Sequence, residues 1–406
     1  MTHLHTHRPA GRHFLNIPGP TPVPERILRA IDHQVIDHRG PEFQALGLTV
    51  LAGMKEIFQT VHPVIIYPAS GTGAWEATLV NTLSAGDTVL MAETGHFAAL
   101  WHKMAMKLGL KPEFISSEYS DWRGWRNGVD ADRIEARLRA DQTHAIKAVC
   151  IVHSETSTGV TSSIGAVRQA IDAAKHPALL IVDTISSLGS IDYRHDQWGV
   201  DVTVGGSQKG LMLPPGLSCN ALSPKAMAAS KTSTLPKAFW SWQEMLDANK
   251  TGFFPYTPAT NLLFGLREAI AMLKEEGLAN VFARHDRLAE ATRRAVRAWG
   301  LEIFCADPAE YSSVLTTVMM PADHDADHLR EIILNNFDMS LGMGLAKLKG
   351  KVFRIGHLGD INDLTLLGAL AGVEMGFELA GVPHQRGGVN AAMQYLSTCA
   401  KSKTTA

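Results

Sequence analysis

Residues 204–216 read VGGSQKGLMLPPG, and Lys209 is the single charged residue in this stretch. The preceding run, GVDVTV at residues 199–204, has the apolar character of a buried strand. Lys209 therefore follows a strand end, which is where open α/β sheets bind their ligands. This position favours a functional lysine over a surface one.

The same alternation of strands and helices extends on the N-terminal side of Lys209. From residue 63, the strand-like runs PVIIYPAS, DTVLMAE, IKAVCIVHSE and ALLIVDTIS alternate with segments of helical periodicity, among them GTGAWEATLVNTL, HFAALWHKMAMKLG and GAVRQAIDAAKH. Alternating strands and helices form βαβ units. We predict a mostly parallel sheet covered by helices on both faces.

A second region begins near residue 260. Two helical segments, the second with predicted ends at Asn280 and Gly300, precede the strand-like runs VLTTVMMP and KVFRIGH and further helices. We therefore predict a large α/β domain at residues 21–260 and a smaller α+β domain at residues 261–390. Residues 1–20 are expected to form an arm, with a solvated, disordered start whose histidines bind metal only adventitiously, and residues 391–406 a frayed tail.

The composition disfavours several classes of function. The 406 residues include 38 basic and 40 acidic side chains, a net charge of −2, so the chain lacks the field that attracts nucleic acid or anionic membranes, and we expect small-molecule ligands. Its four cysteines lack C-x-x-C spacing, which argues against a disulfide framework or a metal site. With no apolar run of about 20 residues and no signal-peptide pattern, the chain is expected to be cytoplasmic.

Two further features at predicted strand ends fit with Lys209. Ser70, Gly71 and Thr72 stand where a strand turns into a helix; free amides there can hold a phosphate, although the pattern alone is more often a turn and a cap. Asp183 ends the apolar run ALLIVD, where a buried carboxylate needs a cationic partner or serves as a cap or structural ion pair. Adjacent parallel strands would place Asp183 and Lys209 close together.

A phosphate-binding turn, a buried acid and a lysine fit pyridoxal phosphate. In this interpretation Lys209 forms a Schiff base with the aldehyde, Asp183 keeps the pyridine nitrogen protonated, and the helix start holds the phosphate. A nucleoside-triphosphate loop is disfavoured, because it needs G-K-[ST] and Lys209 lies between Gln208 and Gly210. Arg354 in KVFRIGH is either a paired structural residue or a clamp for a substrate carboxylate.

Segments along nearly the whole chain resemble the class V aminotransferases of fold type I, in particular the alanine/serine–glyoxylate aminotransferase group. These segments are PGPTPVPER at 18–26, PASGTGAWEATLVNTL, SETSTG, VDTISSLGS, GSQKGLMLPPG and GKVFRIGHLG at 350–359. Within the group, DHR at 37–39 and FPYTPATNLL are typical of the bacterial serine–glyoxylate enzymes. The resemblance implies a mostly parallel, seven-stranded type of sheet sandwiched by helices, a smaller α+β C-terminal domain and bound pyridoxal phosphate.

The resemblance also implies roles for individual residues. Lys209 would form the Schiff base, Asp183 would pair with the pyridine nitrogen, and Arg354 would bind the substrate carboxylate. The other cofactor-binding residues that it implies are Ser70, Gly71, Thr72 and Gln208 for the phosphate, Thr156 for the phenolic oxygen and Phe97 for stacking on the ring. Phe97 stands where some members have Trp, which keeps the stacking and removes the indole donor.

Dimers of this family share their active sites, because a loop of each subunit reaches the phosphate of the other. Thr257 matches that contact, whereas Phe254 stands where some relatives have a tyrosine, and Tyr256 is a candidate to replace its hydroxyl. His38 and Arg39 are further pocket candidates near the dimer interface, or else a solvated structural pair. We therefore expect a homodimer and leave open whether dimers pair into tetramers.

The activity that the resemblance implies is transamination of glyoxylate to glycine, with L-serine as amino donor and hydroxypyruvate as product. Alanine and aspartate remain alternative donors, since the sequence does not show which residues reach the donor side chain. A lyase of the cysteine-desulfurase or kynureninase type is a more remote alternative, as is a non-enzymatic ligand-binding protein on the same fold. No cysteine lies in an obvious catalytic loop, which disfavours a desulfurase.

Overall fold

The computed structural model describes residues 10–404, so the first nine residues of the predicted arm lie outside the described part. The strands are β1 (Phe14–Asn16), β2 (Val64–Tyr67), β3 (Thr88–Ala92), β4 (Lys111–Ile115), β5 (Ile146–Val152), β6 (Ser154–Glu155), β7 (Val160–Thr161), β8 (Leu179–Asp183), β9 (Val202–Gly206), β10 (Ser218–Leu222), β11 (Leu315–Met319), β12 (Met339–Met343) and β13 (Val352–Gly356).

The α-helices are α1 (Glu25–Ile31), α2 (Pro41–Phe58), α3 (Gly71–Thr82), α4 (His96–Lys107), α5 (Ala131–Ala140), α6 (Ile164–Ala173), α7 (Pro224–Ser230), α8 (Trp242–Asn249), α9 (Thr260–Glu276), α10 (Leu278–Ala298), α11 (Ala326–Phe337), α12 (Asp363–Ala380) and α13 (Gly388–Thr404). Short 3-10 helices span Trp122–Trp125, Pro308–Glu310 and Ala346–Leu348. Within residues 10–404, no helix is both long enough and apolar enough to cross a bilayer.

A seven-stranded sheet forms the centre of the larger part of the molecule, in the order β2-β10-β9-β8-β5-β3-β4. Neighbouring strands are parallel except at β10, which runs antiparallel to both β2 and β9. The predicted mostly parallel sheet is confirmed. The sequence pattern does not predict β10, because its segment SCNAL interrupts the apolar residues with Ser218 and Asn220, which are both buried.

Helices cover both faces of this sheet, as the continuous apolar strands predict. On β5, Ala148 and Cys150 face a cluster that includes residues of α3 and α4, whereas Val149 and Ile151 face a cluster that includes residues of α5 and α6. Full burial of a side chain the size of Val149 or Ile151 stabilises the fold by about 1.5–3 kcal/mol. The carboxyl ends of the strands lie between the two helical layers.

A second sheet has the order β1-β12-β13-β11, with β1 parallel to β12 and the remaining pairs antiparallel. Part of the predicted N-terminal arm is therefore a strand of the second sheet. The prediction of a frayed tail from residue 391 is wrong for the described residues. The tail continues α13 through Thr404, because Ala392 and Leu396 are buried in the same cluster as Phe353 of β13.

The long helices α9 and α10 connect the two sheets. Leu263 and Leu266 of α9 pack in one cluster with Leu46 and Val50 of α2, on the side of the large sheet. The boundary predicted at residue 260 stays a prediction. Helix α10 begins at Leu278, two residues before the predicted cap Asn280, and ends at Ala298, two residues before the predicted Gly300, which has a φ of 75°.

Candidate active site

Predicted site residues follow the carboxyl ends of parallel strands. Ser70 follows β2, Phe97 follows β3, Thr156 follows β5, Asp183 ends β8 and Lys209 follows β9. Because these ends meet at one edge of the sheet, the topology gathers the residues around one site. Asp183 and Lys209 lie on adjacent strands, since β8 and β9 are paired.

Lys209 is buried at this edge, with 7% of its surface exposed. Its Nζ donates to the carbonyl of Pro18 at 2.5 Å and lies 3.5 Å from Ser186 Oγ. Burial, and then the positive charge of Arg354, lower the pKa of Lys209 to about 7, against an opposing effect of Asp183. A large fraction of the amine is therefore neutral near pH 7, which is the form that attacks an aldehyde.

Gly19 covers the side chain of Lys209. A Cβ atom on Gly19 would overlap Cδ and Cε of that lysine, and the glycine has a φ of 108°, which side-chain-bearing residues rarely adopt. Gly19 lies in the segment PGPTPVPER, whose sequence pattern does not indicate a role for it. The structure shows that its lack of a side chain leaves the space that Lys209 fills.

The buried carboxylate of Asp183 is held by N–H donors. The indole Nε1 of Trp75 donates to Oδ2 at 3.0 Å, and the amide of Ile185 donates to Oδ1 at 2.6 Å. Burial raises the pKa of Asp183 to about 7, and both donors oppose that rise. Helical periodicity identifies Trp75 only as an apolar residue of α3, and no sequence pattern indicates where its N–H points. Within residues 10–404, no cationic side chain forms an ion pair with Asp183.

Arg354 lies on β13 of the small sheet and reaches the large sheet's edge. Its Nη1 donates to the carbonyl of Thr156 at 2.7 Å, and its Nε donates to that of Met343 at 2.8 Å. Burial lowers the pKa of the guanidinium to about 10, which leaves it charged at neutral pH. It forms no ion pair with any residue from 10 to 404. A buried guanidinium fixed by carbonyls and lacking an anion is suited to bind a carboxylate.

Thr156 and Ser186 connect Arg354 to Lys209, because Thr156 accepts from Arg354 through its carbonyl and bonds Ser186 through its hydroxyl. Ser186 Oγ is also the oxygen 3.5 Å from Lys209 Nζ. Ser186 is buried, and it is not among the site residues predicted from the sequence. Its only sequence signal is its place in VDTISS, three residues after Asp183.

The start of α3 has the features of an anion-binding site. Ser70 is the extended residue before the helix and makes no side-chain cap, so its hydroxyl is not used by the helix itself. Helix starts leave backbone N–H groups without intrahelical partners, and these favour phosphate. A Cβ on Gly71 would overlap Cδ1 and Cγ1 of Ile185, so any larger residue where α3 passes the loop after β8 must displace that side chain. Thr72 is exposed in the first turn.

Gln208, next to Lys209, has an unused polar atom. Its Oε1 is buried and has no hydrogen-bond partner among the described residues. A half-turn of the carboxamide exchanges Oε1 with Nε2, which can donate to a phosphate. The orphaned amide is therefore consistent with the predicted phosphate contact.

A buried acid outside the predicted set fixes Phe97. The carboxylate of Glu155 is fully buried and accepts from the amides of Phe97 at 3.3 Å and Ala98 at 3.1 Å, and from Ser157 Oγ at 2.6 Å. A carboxylate at the start of a helix is favoured by the helix dipole, so Glu155 anchors α4. The half-buried ring of Phe97 stands in the first turn of that helix. The lone acid in SETSTG is the signal that could have identified Glu155.

Four predicted residues are not joined to this site within one chain. In the described part of the chain, no hydrogen bond or ion pair links His38, Arg39, Tyr256 or Thr257 to Lys209. The hydroxyl of Tyr256 instead bonds to the Ala238 carbonyl and to Glu244, each at 3.1 Å. Thr257 is exposed, and His38 Nε2 is buried without a partner. Their predicted roles across a dimer stay predictions.

The residues present fit pyridoxal phosphate. A buried amine, a buried acid held only by N–H donors, an anion-binding helix start and an orphaned carboxamide correspond to the aldehyde, the ring nitrogen and the phosphate of that group. The described residues contain no group of His, Cys, Asp and Glu side chains that could hold a metal ion.

Comparison with known proteins also indicates an aminotransferase. The family described as Aminotransferase class-V matches residues 13–343. A relative from Methylorubrum extorquens, named serine–glyoxylate aminotransferase, is 48% identical over 96% of this chain and 97% of its own. One from Paracoccus denitrificans, named L-aspartate–glyoxylate aminotransferase, is 45% identical over 96% and 98%. The crystal structure of pyridoxamine–pyruvate aminotransferase from Mesorhizobium loti has a TM-score of 0.87 at 25% identity, covering 96% of this chain and 99% of that one.

The fold and the site together define a pyridoxal-phosphate-dependent transferase of fold type I. The chain belongs to the class-V aminotransferase family. The family, the fold class and the cofactor predicted from the sequence are thus confirmed. Its substrates are amino acids and 2-oxo acids, as for other aminotransferases.

Proposed function

We propose that this enzyme transfers the amino group of L-serine to glyoxylate, giving hydroxypyruvate and glycine. The observation that carries the proposal is the presence in one site of two buried basic side chains, Lys209 and Arg354. The first has a pKa lowered to about 7, and the second lacks an anionic partner in the described part of the chain. One is suited to move protons at an α-carbon, and the other to hold the adjacent carboxylate.

Arg354 is the proposed carboxylate clamp. Its backbone acceptors, the carbonyls of Thr156 and Met343, fix the guanidinium plane before substrate arrives. Serine, glyoxylate, glycine and hydroxypyruvate all carry a carboxylate next to the reacting carbon, so one clamp serves both half-reactions. Glyoxylate has only two carbons, so the acceptor needs little further recognition.

Lys209 is the proposed proton carrier. When bound, pyridoxal phosphate supplies an aldehyde that takes up the amino group and a ring that spreads the negative charge left on the substrate's α-carbon. Neutral Nζ of Lys209 takes the α-proton of serine in one half-reaction, and the protonated amine returns a proton to the acceptor's α-carbon in the other. Asp183 would hold the ring nitrogen, Ser70, Gly71, Thr72 and Gln208 the phosphate, Thr156 the phenolic oxygen and Phe97 the face of the ring.

The choice of serine rests on the relative that is 48% identical over 96% of this chain. Aspartate is the second candidate donor, because a relative of nearly equal similarity carries the name L-aspartate–glyoxylate aminotransferase. A hydroxyl and a carboxylate need different polar partners, so the two donors are distinguished by the pocket beyond Arg354.

Half-reaction spectra test the proposal directly. Purified enzyme loaded with cofactor is mixed with L-serine, L-aspartate or L-alanine, and the visible absorbance is followed. We expect serine to bleach the band fastest and glyoxylate to restore it, with hydroxypyruvate and glycine formed in equal amounts. Faster bleaching by aspartate would select the second candidate. No response to any amino acid would contradict an aminotransferase role and favour a ligand-binding protein.

The free cysteines argue against the desulfurase alternative. Cys150, Cys219 and Cys305 are buried, and burial raises the pKa of each thiol, to about 12 for Cys219 and Cys305. A thiol with such a pKa is a poor nucleophile, because the thiolate is the reactive form. Cys399 lies on α13 of the small domain, in a helix rather than a loop. A variant with alanine at all four positions should keep its transamination rate per folded molecule.

We further propose that the enzyme is a cytoplasmic homodimer whose two sites share residues. The exposed Thr257, which matches the family's contact across the interface, supports a second chain near this loop. Sedimentation equilibrium would give the mass of the assembly, and a dimer or a dimer of dimers is expected.

A further inference from the structure

We infer that Trp75 is a positioning residue for Asp183, holding that carboxylate charged and oriented toward the cofactor's ring nitrogen. The inference rests on the role proposed above for Asp183. Indole Nε1 and Asp183 Oδ2 are 3.0 Å apart, and the two residues are 2% and 4% exposed. This contact is a hydrogen bond from a neutral donor to a carboxylate in a site that water barely reaches.

The donors on the two carboxylate oxygens act together. Trp75 donates to Oδ2, and the amide of Ile185 donates to Oδ1. One N–H on each oxygen resists rotation of the carboxylate, and each oxygen keeps a second lone pair for a protonated ring nitrogen. The Ile185 donor is a backbone amide, which a side-chain substitution does not remove. The hydrogen bond from Trp75 is the one that a substitution can test.

The charge on Asp183 depends on these donors because its burial opposes ionisation. Burial raises the pKa of Asp183 to about 7, the charge of Glu155 adds to that rise, and the hydrogen bonds of Ile185 and Trp75 oppose it. Removing one donor therefore favours the neutral acid. A neutral acid no longer stabilises a proton on the ring nitrogen, so cofactor binding and the protonation of that nitrogen should weaken together.

Trp75 also connects two parts of the cofactor site. It lies in α3, whose first residues form the proposed phosphate-binding turn. The same helix would thus present amides to the phosphate while its Trp75 donates to the acid proposed to hold the ring nitrogen. A shift of α3 would therefore disturb the binding of both ends of the cofactor.

The neighbouring Trp101 provides a matched control. Its ring stacks on that of Trp75 with centroids 5.5 Å apart and an interplanar angle of 12°, and it is also fully buried. Its Nε1 is buried without a hydrogen-bond partner among the described residues. Trp101→Phe therefore removes the same atoms from the same stack without taking a donor from Asp183.

The test compares Trp75→Phe, Trp101→Phe and Asp183→Asn. The readouts are the dissociation constant of pyridoxal phosphate from the apoenzyme, by equilibrium dialysis, and the ¹⁵N chemical shift of the ring nitrogen in labelled bound cofactor. We expect Trp75→Phe to weaken cofactor binding by about tenfold, the size of one hydrogen bond to a charged group, and to move the shift toward unprotonated nitrogen. Trp101→Phe should change neither readout, and thermal melting of the apoenzymes reports the shared loss of packing.

The outcomes separate this inference from the proposed function. Equal effects of the two phenylalanine variants, or no effect of Trp75→Phe while Asp183→Asn weakens binding, would overturn the inference and leave the role of Asp183 intact. Unchanged binding and an unchanged shift in Asp183→Asn would overturn that role and the inference with it. A selective effect of Trp75→Phe supports both.

Discussion

The guanidinium of Arg354 is bonded to the backbone carbonyl of Thr156 at 2.7 Å, and this contact joins the small sheet to the loop after β5 of the large sheet. The proposed substrate clamp therefore depends on the relative position of the two sheets. Substrate bound to Arg354 would be held against the large-domain residues that surround Lys209. The acceptor on Thr156 is a carbonyl, so its side chain remains free to bond Ser186.

Replacement of Arg354 by lysine should weaken substrate use and spare cofactor binding. Lysine keeps the charge but loses the planar fork that bonds a carboxylate at two points. We expect kcat/KM for serine and for glyoxylate to fall by about 100-fold, the scale of one bidentate charged pair. Steady-state kinetics with each substrate varied in turn measures this effect.

Arg330→Lys is the matched control for that variant. Arg330 also donates its Nε to a backbone carbonyl of β12, that of Leu341 at 2.8 Å, but it is paired with Asp327 at 2.9 Å. Its replacement should leave both kcat/KM values nearly unchanged. If Arg330→Lys lowered activity as much as Arg354→Lys, the effect would belong to the small sheet's stability and not to carboxylate binding.

Lys209 should react with the cofactor at unusually low pH for a lysine. Only the neutral amine attacks an aldehyde, so the rate of reconstitution of the apoenzyme rises as pH passes through the pKa of Lys209. With that pKa lowered to about 7 by burial and by Arg354, the rate should level off just above neutrality. Stopped-flow absorbance across pH measures it, with Lys209→Arg as the unreactive control. A rate that still climbs above about pH 9 would show an ordinary lysine pKa.

Much of this fold and site could be predicted because the signals are local. Strand and helix periods give the parallel sheet, and adjacent parallel strands bring Asp183 and Lys209 to one edge. The strand β10 was not predictable from apolar pattern, since Asn220 is buried through hydrogen bonds to Thr78 Oγ1 and to a carbonyl of α3. Those partners come from a distant helix, which a local pattern cannot reveal.

The parts of the site that escaped prediction depend on side-chain direction. In the sequence, Trp75 is an apolar residue of a helix and Glu155 is a lone acid. Only the folded structure shows that Trp75 donates to Asp183 and that Glu155 accepts from the start of α4. The tail from residue 391 shows the same limit. Its terminal position predicts fraying, but Leu396 is buried against residues that are distant in the sequence.

Gly71→Ala should destabilise the enzyme and weaken cofactor binding, because the new Cβ overlaps Ile185. Overpacking of this kind costs about 1–3 kcal/mol. The free energy of unfolding from urea titration and the cofactor dissociation constant measure the two effects. Ile185→Ala combined with Gly71→Ala should recover part of the loss, since it removes the overlapping atoms.

Gly165→Ala is the control for this glycine. Gly165 lies in the first turn of α6, and a Cβ there meets no atom within 4 Å. Alanine should therefore stabilise the fold by up to about 1 kcal/mol, through its higher helix propensity, without changing cofactor affinity. Equal losses at the two glycines would contradict the steric explanation.

Active sites shared between subunits predict complementation between two inactive chains. Lys209→Ala removes the proposed catalytic amine, and Thr257→Glu places a negative charge where the proposed dimer brings Thr257 to the partner's phosphate. If Thr257 acts across the interface, a mixed dimer has one site with both defects and one site with neither. Random pairing then restores about a quarter of the wild-type activity in a refolded equimolar mixture. If Thr257 instead serves the site of its own chain, every site in the mixed dimer carries one defect, and the mixture stays inactive.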